Sequence, residues 1–338
     1  MGASDDVDGR FRLPFRPLVP VLIVLVIAAA GGLMALLMLP WAKGAGDVVE
    51  QVNARLAFLG KCKKIGTFPE RSTVYAADGK TVLANLYLDY NREIVHLADV
   101  SPIARRSVLA IEDDGFYQHG ALNFPSILRA LITNAFRGEV VQGGSTITQQ
   151  LVKNAVTGNI KQTYERKFRE AAIAVCLDGK YSKDKILELY LNDVFFGNNV
   201  YGIGTAADLY FNEPAAKLTL TQGALLAGLI QAPSLFDPLR YPKPAIARRN
   251  EVLDRLAVLG WVPQAKVDKA KQQPLGLARE AGTLHNAQPP FFAKYVVDEI
   301  LGNASGEFDA LGATAKQRSQ TLYQGGLAIA TTLDPSWQ

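Results

Sequence analysis

Between Ile111 and Val194 the chain reads IEDDGFYQHG (111–120), QGGSTITQQLVKN (142–154), ERKFREAAIAVCLD (165–178) and KILELYLNDV (185–194). Apolar residues recur here at helical spacing, and acidic, amide and basic residues stand among them. Helices that only fill a core do not need polar groups at such density. This part of the chain therefore predicts a mainly helical domain with a site for a charged substrate.

The composition of the whole chain is that of a globular protein. Its 338 residues are 49% hydrophobic and 20% charged, which is enough for about two domains. The net charge of +4 suits an anionic partner such as lipid headgroups or a pyrophosphate, and is too small to indicate nucleic acid. Cys62 and Cys176 form no metal-binding cluster, and we expect no disulfide between them, with Cys62 exposed and Cys176 buried.

A long apolar segment precedes the polar stretches. Leu18 to Leu39 is 22 residues long, carries no charge and can cross a bilayer as one helix. Three arginines stand before it and a single lysine in the ten residues after it, so the positive-inside rule places residues 1–17 in the cytoplasm. We predict a transmembrane helix at 18–40, with the rest of the chain outside; a cleaved signal peptide is the alternative.

Local signals divide the remaining chain. Residues 41–95 are predicted to be an extracytoplasmic linker with a β-hairpin, because Asp78-Gly79 separates two β-prone runs. Ser182 is a typical residue before the start of a helix. After Gly260 the chain becomes rich in Pro, Gln and Gly, and we predict a second linker over 266–338.

The first polar cluster follows an apolar run. Glu112 stands at the end of that run, where a carboxylate held in a cleft with a raised pKa can act as a general base. A solvated acidic helix end is the plainer interpretation of the same residues. His119, one of three histidines, can either shuttle a proton or donate a positioning hydrogen bond.

The second cluster is a glycine-rich loop that runs into a helix. Such a junction exposes backbone N–H groups and favours an anion, although no Walker sequence follows. Gln149 and Lys153 are four residues apart and share a helix face. The pattern indicates either an anion site or a capped helix with a polar outer face.

The third cluster is basic with one acid in it, and consists of Lys161, Arg166, Lys167, Arg169 and Glu170. It is either a surface ladder of ion pairs or a second catalytic carboxylate among cations that hold phosphates. Phe168, Ala172 and Val175 are expected on the buried face of this helix.

In their order and spacing these clusters resemble the peptidoglycan glycosyltransferase family, the membrane-anchored module of class A penicillin-binding proteins and of monofunctional transglycosylases. The first family motif, Glu-Asp-x-x-Phe-x-x-His-x-Gly, resembles residues 112–120, with one residue missing before the glycine. The second, Gly-Gly-Ser-Thr-Ile-Thr-Gln-Gln-x-x-Lys-Asn, matches 143–154 throughout. Arg-Lys-x-x-Glu matches 166–170, Ile-Leu-Glu-x-Tyr-Leu-Asn matches 186–192, and Arg-Arg-x-x-Val-Leu matches 248–253.

The resemblance covers about residues 96–265 and implies a lysozyme-like helical domain with a small jaw subdomain that dips into the membrane. Apolar residues that would belong near the jaw are Phe124, Ile127, Leu128, Leu131, Ile132 and Phe136. The family's catalytic pair falls on Glu112 and Glu170. Its substrate-binding positions fall on Asp113, Phe116, His119, Ser145, Thr146, Gln149, Gln150, Lys153, Asn154, Lys161, Arg166 and Lys167.

The reaction implied by the resemblance is polymerisation of lipid II into β-1,4-linked glycan by inverting transfer, with release of undecaprenyl pyrophosphate. Glu112 would be the general base, and the cations near Glu170 would hold the pyrophosphate. A divalent cation, Mg²⁺ or Mn²⁺, is expected, with Glu170 as its candidate ligand. Expected partners are lipid II, the nascent glycan, the membrane, cell-wall elongation or division proteins and moenomycin-type inhibitors, but not nucleic acid.

The implied location is the inner (cytoplasmic) membrane, crossed once, with the catalytic domain in the periplasm. The ending TTLDPSWQ (331–338) resembles the segment that introduces the transpeptidase domain of bifunctional members, and no Lys-Thr-Gly is present. We therefore expect this sequence to be the N-terminal part of a longer enzyme.

Two other functions fit parts of the pattern. A lysozyme-like glycan hydrolase would share the fold, but it has no need of cations at 153, 161 and 166. A catalytically inactive membrane scaffold has no need to keep both Glu112 and Glu170.

Overall fold

The structure is a computed structural model that describes residues 65–123, 125–127, 129, 144–158, 164–279, 281, 291–334 and 336. The chain divides into two compact units, 1–61 and 62–338, and all described residues belong to the second. Within them no helix is long and apolar enough to cross a bilayer. The predicted anchor at 18–40 lies outside the described residues, and so do the predicted jaw residues apart from Ile127.

Helices dominate the described chain, which confirms the mainly helical prediction. They are α1 (Pro102–Glu112), α2 (Ile147–Val152), α3 (Tyr164–Asp178), α4 (Lys183–Asp193), α5 (Ile203–Phe211), α6 (Leu220–Leu229), α7 (Pro242–Val258), α8 (Gln264–Lys271), α9 (Phe291–Gly302) and α10 (Ala315–Gln324). A π-helical turn, Lys153–Thr157, continues α2, and 3₁₀ turns lie at Leu97–Asp99, Ala215–Lys217 and Asp309–Leu311. The strands are β1 (Ser72–Tyr75), β2 (Val82–Leu86), β3 (Asn91–Arg92), β4 (Val200–Tyr201) and β5 (Ala328–Ala330).

Several helices start at residues whose side chains satisfy the first backbone N–H groups. The Ser182 hydroxyl accepts a hydrogen bond from the Lys185 N–H at 3.2 Å, so α4 begins where the sequence predicts. Thr146 before α2 and Thr219 before α6 each form a capping box with the glutamine three residues later. The buried face of α4 is also the one that its spacing predicts, with Ile186, Leu187, Tyr190 and Leu191.

The core lies around α6, whose residues from Thr221 to Leu229 are all buried. Helices α1 and α7 pack against it. A Cβ added to Gly223 of α6 would lie 2.8 Å from the Cα of Ala104 in α1, so only glycine permits this approach of the two helices. The close packing fixes α1, and thereby the position of Glu112 at its C-terminal end.

Two predictions about α3 are wrong. Its buried positions include Ala174 and Leu177, which pack against residues of the neighbouring chain segments, whereas Val175 is 55% exposed. The segments that pack against α3 determine which of its faces is buried. That face is shifted by about one residue from the predicted one. Cys176 is half-buried and takes part in a disulfide, so the expectation of no disulfide is also wrong. A disulfide suits an oxidising extracytoplasmic compartment.

The predicted hairpin is confirmed, but it belongs to a larger unit. Strand β1 pairs antiparallel with β2 across a turn at Asp78-Gly79, and β5 pairs in parallel with the other side of β1. Helices α9 and α10 pack on this sheet through a second small core formed by Val74, Leu86, Val297, Ile300 and Leu322. Two segments with linker-like sequences therefore fold together, because pairing between distant strands leaves no local signal in sequence.

Candidate active site

Three helices hold the carboxylate of Glu112. The residue is half-buried at the C-terminal end of α1, and Gln150 of α2 donates its Nε2–H to Glu112 Oε2 at 2.8 Å. Tyr190 of α4 donates its hydroxyl to Gln150 Oε1 at 3.0 Å. That second bond orients the amide, so that its NH₂ end faces the carboxylate. Glu112 is therefore a positioned group and not a solvated helix end.

The surroundings of Glu112 favour its protonated form more than water does. Burial raises the pKa of Glu112 above its ordinary value, and this effect exceeds the lowering by the Gln150 hydrogen bond and by the charge of Arg248. The neighbouring Asp113 raises the pKa further. A carboxylate with a raised pKa is a stronger base, which is the property that a general base requires.

Glu112 lines a cavity of about 320 Å³. Asp113, Ser145 and Thr146 share this lining, so the structure brings together four residues that the sequence assigns to the site. The polar lining residues to which the sequence assigned no role are Asp114, Asn123, Ser126, Arg129 and Arg255. We call this space the Glu112 cavity.

Arg255 of α7 adds a positively charged side chain to the lining of the Glu112 cavity. It forms an ion pair with Asp114, the second acid after Glu112 in the sequence. The sequence contained a signal for this residue. Arg255 stands two helical turns after Arg248 of the fifth motif and therefore shares its face of the helix.

Asp113 and His119 form a fixed pair beside Glu112. His119 Nε2 lies 2.6 Å from Asp113 Oδ1, and His119 Nδ1 lies 2.6 Å from the carbonyl oxygen of Gly120. Both of these partners are hydrogen-bond acceptors, so both ring nitrogens lie where they can donate. The other carboxylate oxygen of Asp113 accepts the N–H of Ile147 at 3.1 Å, in the first turn of α2. This geometry favours a positioning role for His119 over a proton shuttle.

We expect His119→Gln and Asp113→Asn to be energetically coupled. Each single change breaks a charge-assisted hydrogen bond and should lower the free energy of unfolding by about 1.5–3 kcal/mol. The double variant should lose much less than the sum of the two. Urea unfolding of the wild type, both single variants and the double variant measures this coupling, and strictly additive losses would show that the pair contributes nothing as a pair.

Phe116 is placed beneath the loop and not in the lining of the Glu112 cavity. Its side chain is 1% exposed, and the Lys183 ammonium lies 4.8 Å from the centre of its ring. Lys183 also donates to the Gly120 carbonyl at 3.3 Å and pairs with Asp178 at 2.7 Å. Phe116 thus supports the loop that carries His119, which differs from the expected contact with substrate.

The residues of the second motif, 143–154, have two different structural roles. The Gln149 side chain accepts the Thr146 N–H at 3.0 Å and completes the capping box of α2. Lys153 and Asn154 lie on the π-helical turn and line a separate cavity of about 690 Å³. A π-helical turn is a frequent feature of functional sites, and nothing in the sequence indicated it.

Glu170 is fully buried in α3 among cations. Its Oε1 lies 3.0 Å from Arg166 Nε, and its Oε2 lies 3.3 Å from Lys167 Nζ. Thr157, the last residue of the π-helical turn, donates its hydroxyl to Glu170 Oε1 at 3.3 Å. Seven residues separate Thr157 from Gln150, roughly 10 Å along a helix axis, so the contacts of Glu112 and Glu170 lie at opposite ends of one segment. Lys161 lies outside the described residues.

The surroundings of Glu170 do not fit a metal ligand. Both of its oxygens face cationic side chains, whereas Mg²⁺ is held by several oxygen donors. Across the described parts of the chain, no three His, Cys, Asp or Glu side chains are grouped as a metal site requires. The expected dependence on Mg²⁺ or Mn²⁺ therefore stays a prediction.

Several known proteins are similar to this chain in sequence. The transglycosylase family model matches residues 79–257, from the hairpin to the end of α7. Penicillin-binding protein 1F of Bacillus subtilis (strain 168) is 34% identical over 275 residues, which are 80% of this chain and 37% of that protein. Penicillin-binding protein 1A of Mycolicibacterium smegmatis is 36% identical over 275 residues, which are 80% of this chain and 34% of that protein.

A solved structure is also similar. The crystal structure of penicillin-binding protein 1A from Haemophilus influenzae has a TM-score of 0.40 and 24% sequence identity, covering 73% of this chain and 26% of that one. The chain spans about a third of the length of the curated relatives that it matches. Because the family model covers more than half of the chain, including the helices that carry Glu112, Gln150 and Glu170, the chain belongs to the transglycosylase family.

Proposed function

We propose that this chain polymerises lipid II into β-1,4-linked glycan strands for peptidoglycan synthesis, releasing undecaprenyl pyrophosphate. The observation that carries the proposal is the Glu112 carboxylate, held by Gln150 at the wall of a cavity and raised in pKa. Membership of the transglycosylase family supports the reaction class.

In the proposed step, Glu112 takes the proton from the 4-hydroxyl of the acceptor sugar while that oxygen attacks the anomeric carbon of the donor. The new C–O bond forms on the face opposite the pyrophosphate, and the bond to the pyrophosphate breaks, so the configuration inverts. Inverting glycosidases leave roughly 6.5–9.5 Å between their carboxyl groups for the nucleophile. Ser145 and Thr146, which share the Glu112 cavity, are proposed to bind oxygens of the acceptor.

The leaving pyrophosphate needs cations more than it needs an acid, because it departs as a stable anion. Lys153, Lys161 and Arg166 are the proposed cations, with Asn154 and Lys167 beside them. Glu170 is proposed to orient Arg166 and Lys167, since both cations lie within 3.3 Å of its carboxylate oxygens.

We also propose the finer organisation that the family implies. Residues 18–40 would anchor the chain in the inner membrane with the N-terminus in the cytoplasm, and 96–265 would form the catalytic domain with its jaw. The partners would be lipid II and the nascent glycan, and moenomycin-type inhibitors would compete with them. The segment 266–338 would lead toward a transpeptidase domain.

A polymerisation assay with purified lipid II, with and without EDTA, tests the proposed function. Glycan polymer supports it, and loss of polymer in EDTA that Mg²⁺ or Mn²⁺ restores supports the expected cation. Cleavage of preformed glycan without polymerisation would identify a hydrolase instead. Absence of both reactions in folded protein would favour the scaffold interpretation.

We expect the polymerisation rate to depend on the protonation of Glu112. Because the pKa of Glu112 is raised, activity should be present above that pKa and lost as the pH falls through it, at a midpoint above the ordinary glutamate value of about 4.3. Gln150→Leu removes the hydrogen bond that lowers this pKa and should move the acid limb to higher pH. Tyr190→Phe keeps the Gln150 amide but removes the hydroxyl that orients it, and should shift the acid limb by less. Rate profiles across pH measure both, and an unmoved limb in Gln150→Leu contradicts the proposed base.

A further inference from the structure

Lys183 is the first residue of α4, and its side chain contacts the loop 113–121 that follows α1. The ammonium lies 2.7 Å from Asp178 Oδ1, 3.3 Å from the carbonyl oxygen of Gly120 and 4.8 Å from the ring centre of Phe116. An ammonium has three N–H donors, so a carboxylate, a carbonyl and a ring face can each receive one of them. Lys183 therefore joins the loop to the end of α3.

The two charges of this ion pair each stand at the helix end that disfavours them. Asp178 is the last residue of α3, where the helix dipole is negative, and Lys183 is the first of α4, where it is positive. Exchanging the two charges would suit both helix dipoles better. The observed arrangement is the one that places a cation, and not an acid, against the Gly120 carbonyl. The contact with the loop thus accounts for a pair that helix stability alone does not favour.

The Gly120 carbonyl links Lys183 to the fixed pair beside Glu112. The same oxygen lies 2.6 Å from His119 Nδ1, and His119 Nε2 lies 2.6 Å from Asp113 Oδ1. A carbonyl oxygen has two lone pairs, so it can accept from both Lys183 and His119. Holding this oxygen in place holds the imidazole ring, and the ring in turn orients the Asp113 carboxylate.

A second contact between α4 and the loop supports this arrangement. Asp184 Oδ1 accepts the Tyr117 hydroxyl at 2.8 Å, so the first two residues of α4 both hold the loop. The start of α4 is itself fixed, because Ser182 caps it. The loop consists of turns and bends, so contacts with a fixed helix end are needed to keep His119 in one position.

We propose that Lys183 is a positioning residue of the active site, which holds the His119 ring in place through the Gly120 carbonyl. Its side chain lines neither the Glu112 cavity nor the cavity of about 690 Å³, so it acts through the loop and not on a substrate there. The inference rests on the proposed function for the reaction that the site performs. The placement of the His119 ring can be measured without that reaction.

Polymerisation kinetics of variants at Lys183 test the proposal. Lys183→Met keeps most of the aliphatic stem and removes the N–H donors, and it should lower kcat by about ten- to a hundredfold. Lys183→Arg keeps a cation with N–H donors and should restore kcat to within about threefold of the wild type. Lys316→Met, the same change at an exposed lysine of α10, is the control and should keep the wild-type rate. Melting curves give the folded fraction, because a purely structural role would change that fraction and not the rate per folded molecule.

The His119 ring provides a readout that needs no catalysis. The chain has three histidines, so the NMR signals of this ring in the full chain in detergent can be assigned by their loss in His119→Gln. Lys183→Met should move the Nδ1 signal, because the acceptor of that nitrogen is no longer held, and Lys183→Arg should return it. If Lys183→Met does not fold, Asp178→Asn is the second variant. It removes the charged partner of Lys183 and should move the same signal by less.

The outcomes separate this proposal from the proposed function. Unmoved His119 signals in Lys183→Met, or in Asp178→Asn where that variant replaces it, would overturn the positioning role. A kcat equal to that of the wild type in folded Lys183→Met would overturn it as well. A wild type that does not polymerise lipid II, but whose His119 signal moves in Lys183→Met, would instead overturn the proposed function and leave the contact of Lys183 with the loop standing.

Discussion

Glu112→Gln should abolish lipid II polymerisation while leaving the protein folded. The change keeps the shape of the side chain and removes only its ability to accept a proton. Loss of a general base typically lowers a rate by about 10²–10⁴-fold. Because burial disfavours the charged form of Glu112, the neutral glutamine should leave the thermal stability equal to or above that of the wild type. Initial rates and a melting curve of the same preparation measure the two effects.

A matched control separates the base from a general effect of charge. Glu299→Gln makes the same change on an exposed position of α9, outside both cavities, and should keep the wild-type rate. If Glu112→Gln polymerises lipid II at the wild-type rate, the base is another group and the central assignment fails.

Glu170→Gln should reduce both activity and stability. Glu170 is fully buried, and Arg166, its partner at 3.0 Å, is 9% exposed. Removing one partner of a buried pair leaves an uncompensated charge, which costs about 3–5 kcal/mol. Arg166, Lys167 and Thr157 would also lose the carboxylate that they share. Urea unfolding and the polymerisation rate should therefore fall together, in contrast to Glu112→Gln.

Lys167→Gln is the internal comparison for stability. Its side chain is 44% exposed, so its contact with Glu170 is screened by water and its removal should change the free energy of unfolding by no more than about 1 kcal/mol. If Glu170→Gln is as stable as the wild type, the buried pair with Arg166 does not hold α3 against the π-helical turn.

Local features were predictable because their causes lie within a few residues in the chain. The start of α4 after Ser182 and the turn at Asp78-Gly79 follow from hydrogen bonds and dihedral angles of adjacent residues. Glu112 was predictable as a candidate from its place after an apolar run. Val175 was mispredicted because periodicity gives the width of a buried stripe but not the neighbour that covers it.

The sequence by itself determined the helical class, the motif order and most residues of the candidate site. The tertiary structure alone decided what each residue touches: Gln150 on Glu112, Glu170 among its cations, β5 beside β1, and Arg92 against Asp193. Those contacts join residues far apart in the chain, and they form only when helices and strands that are distant in sequence pack together. Long-range packing sets burial, and burial raises the pKa of Glu112, so that property could not be inferred from local sequence.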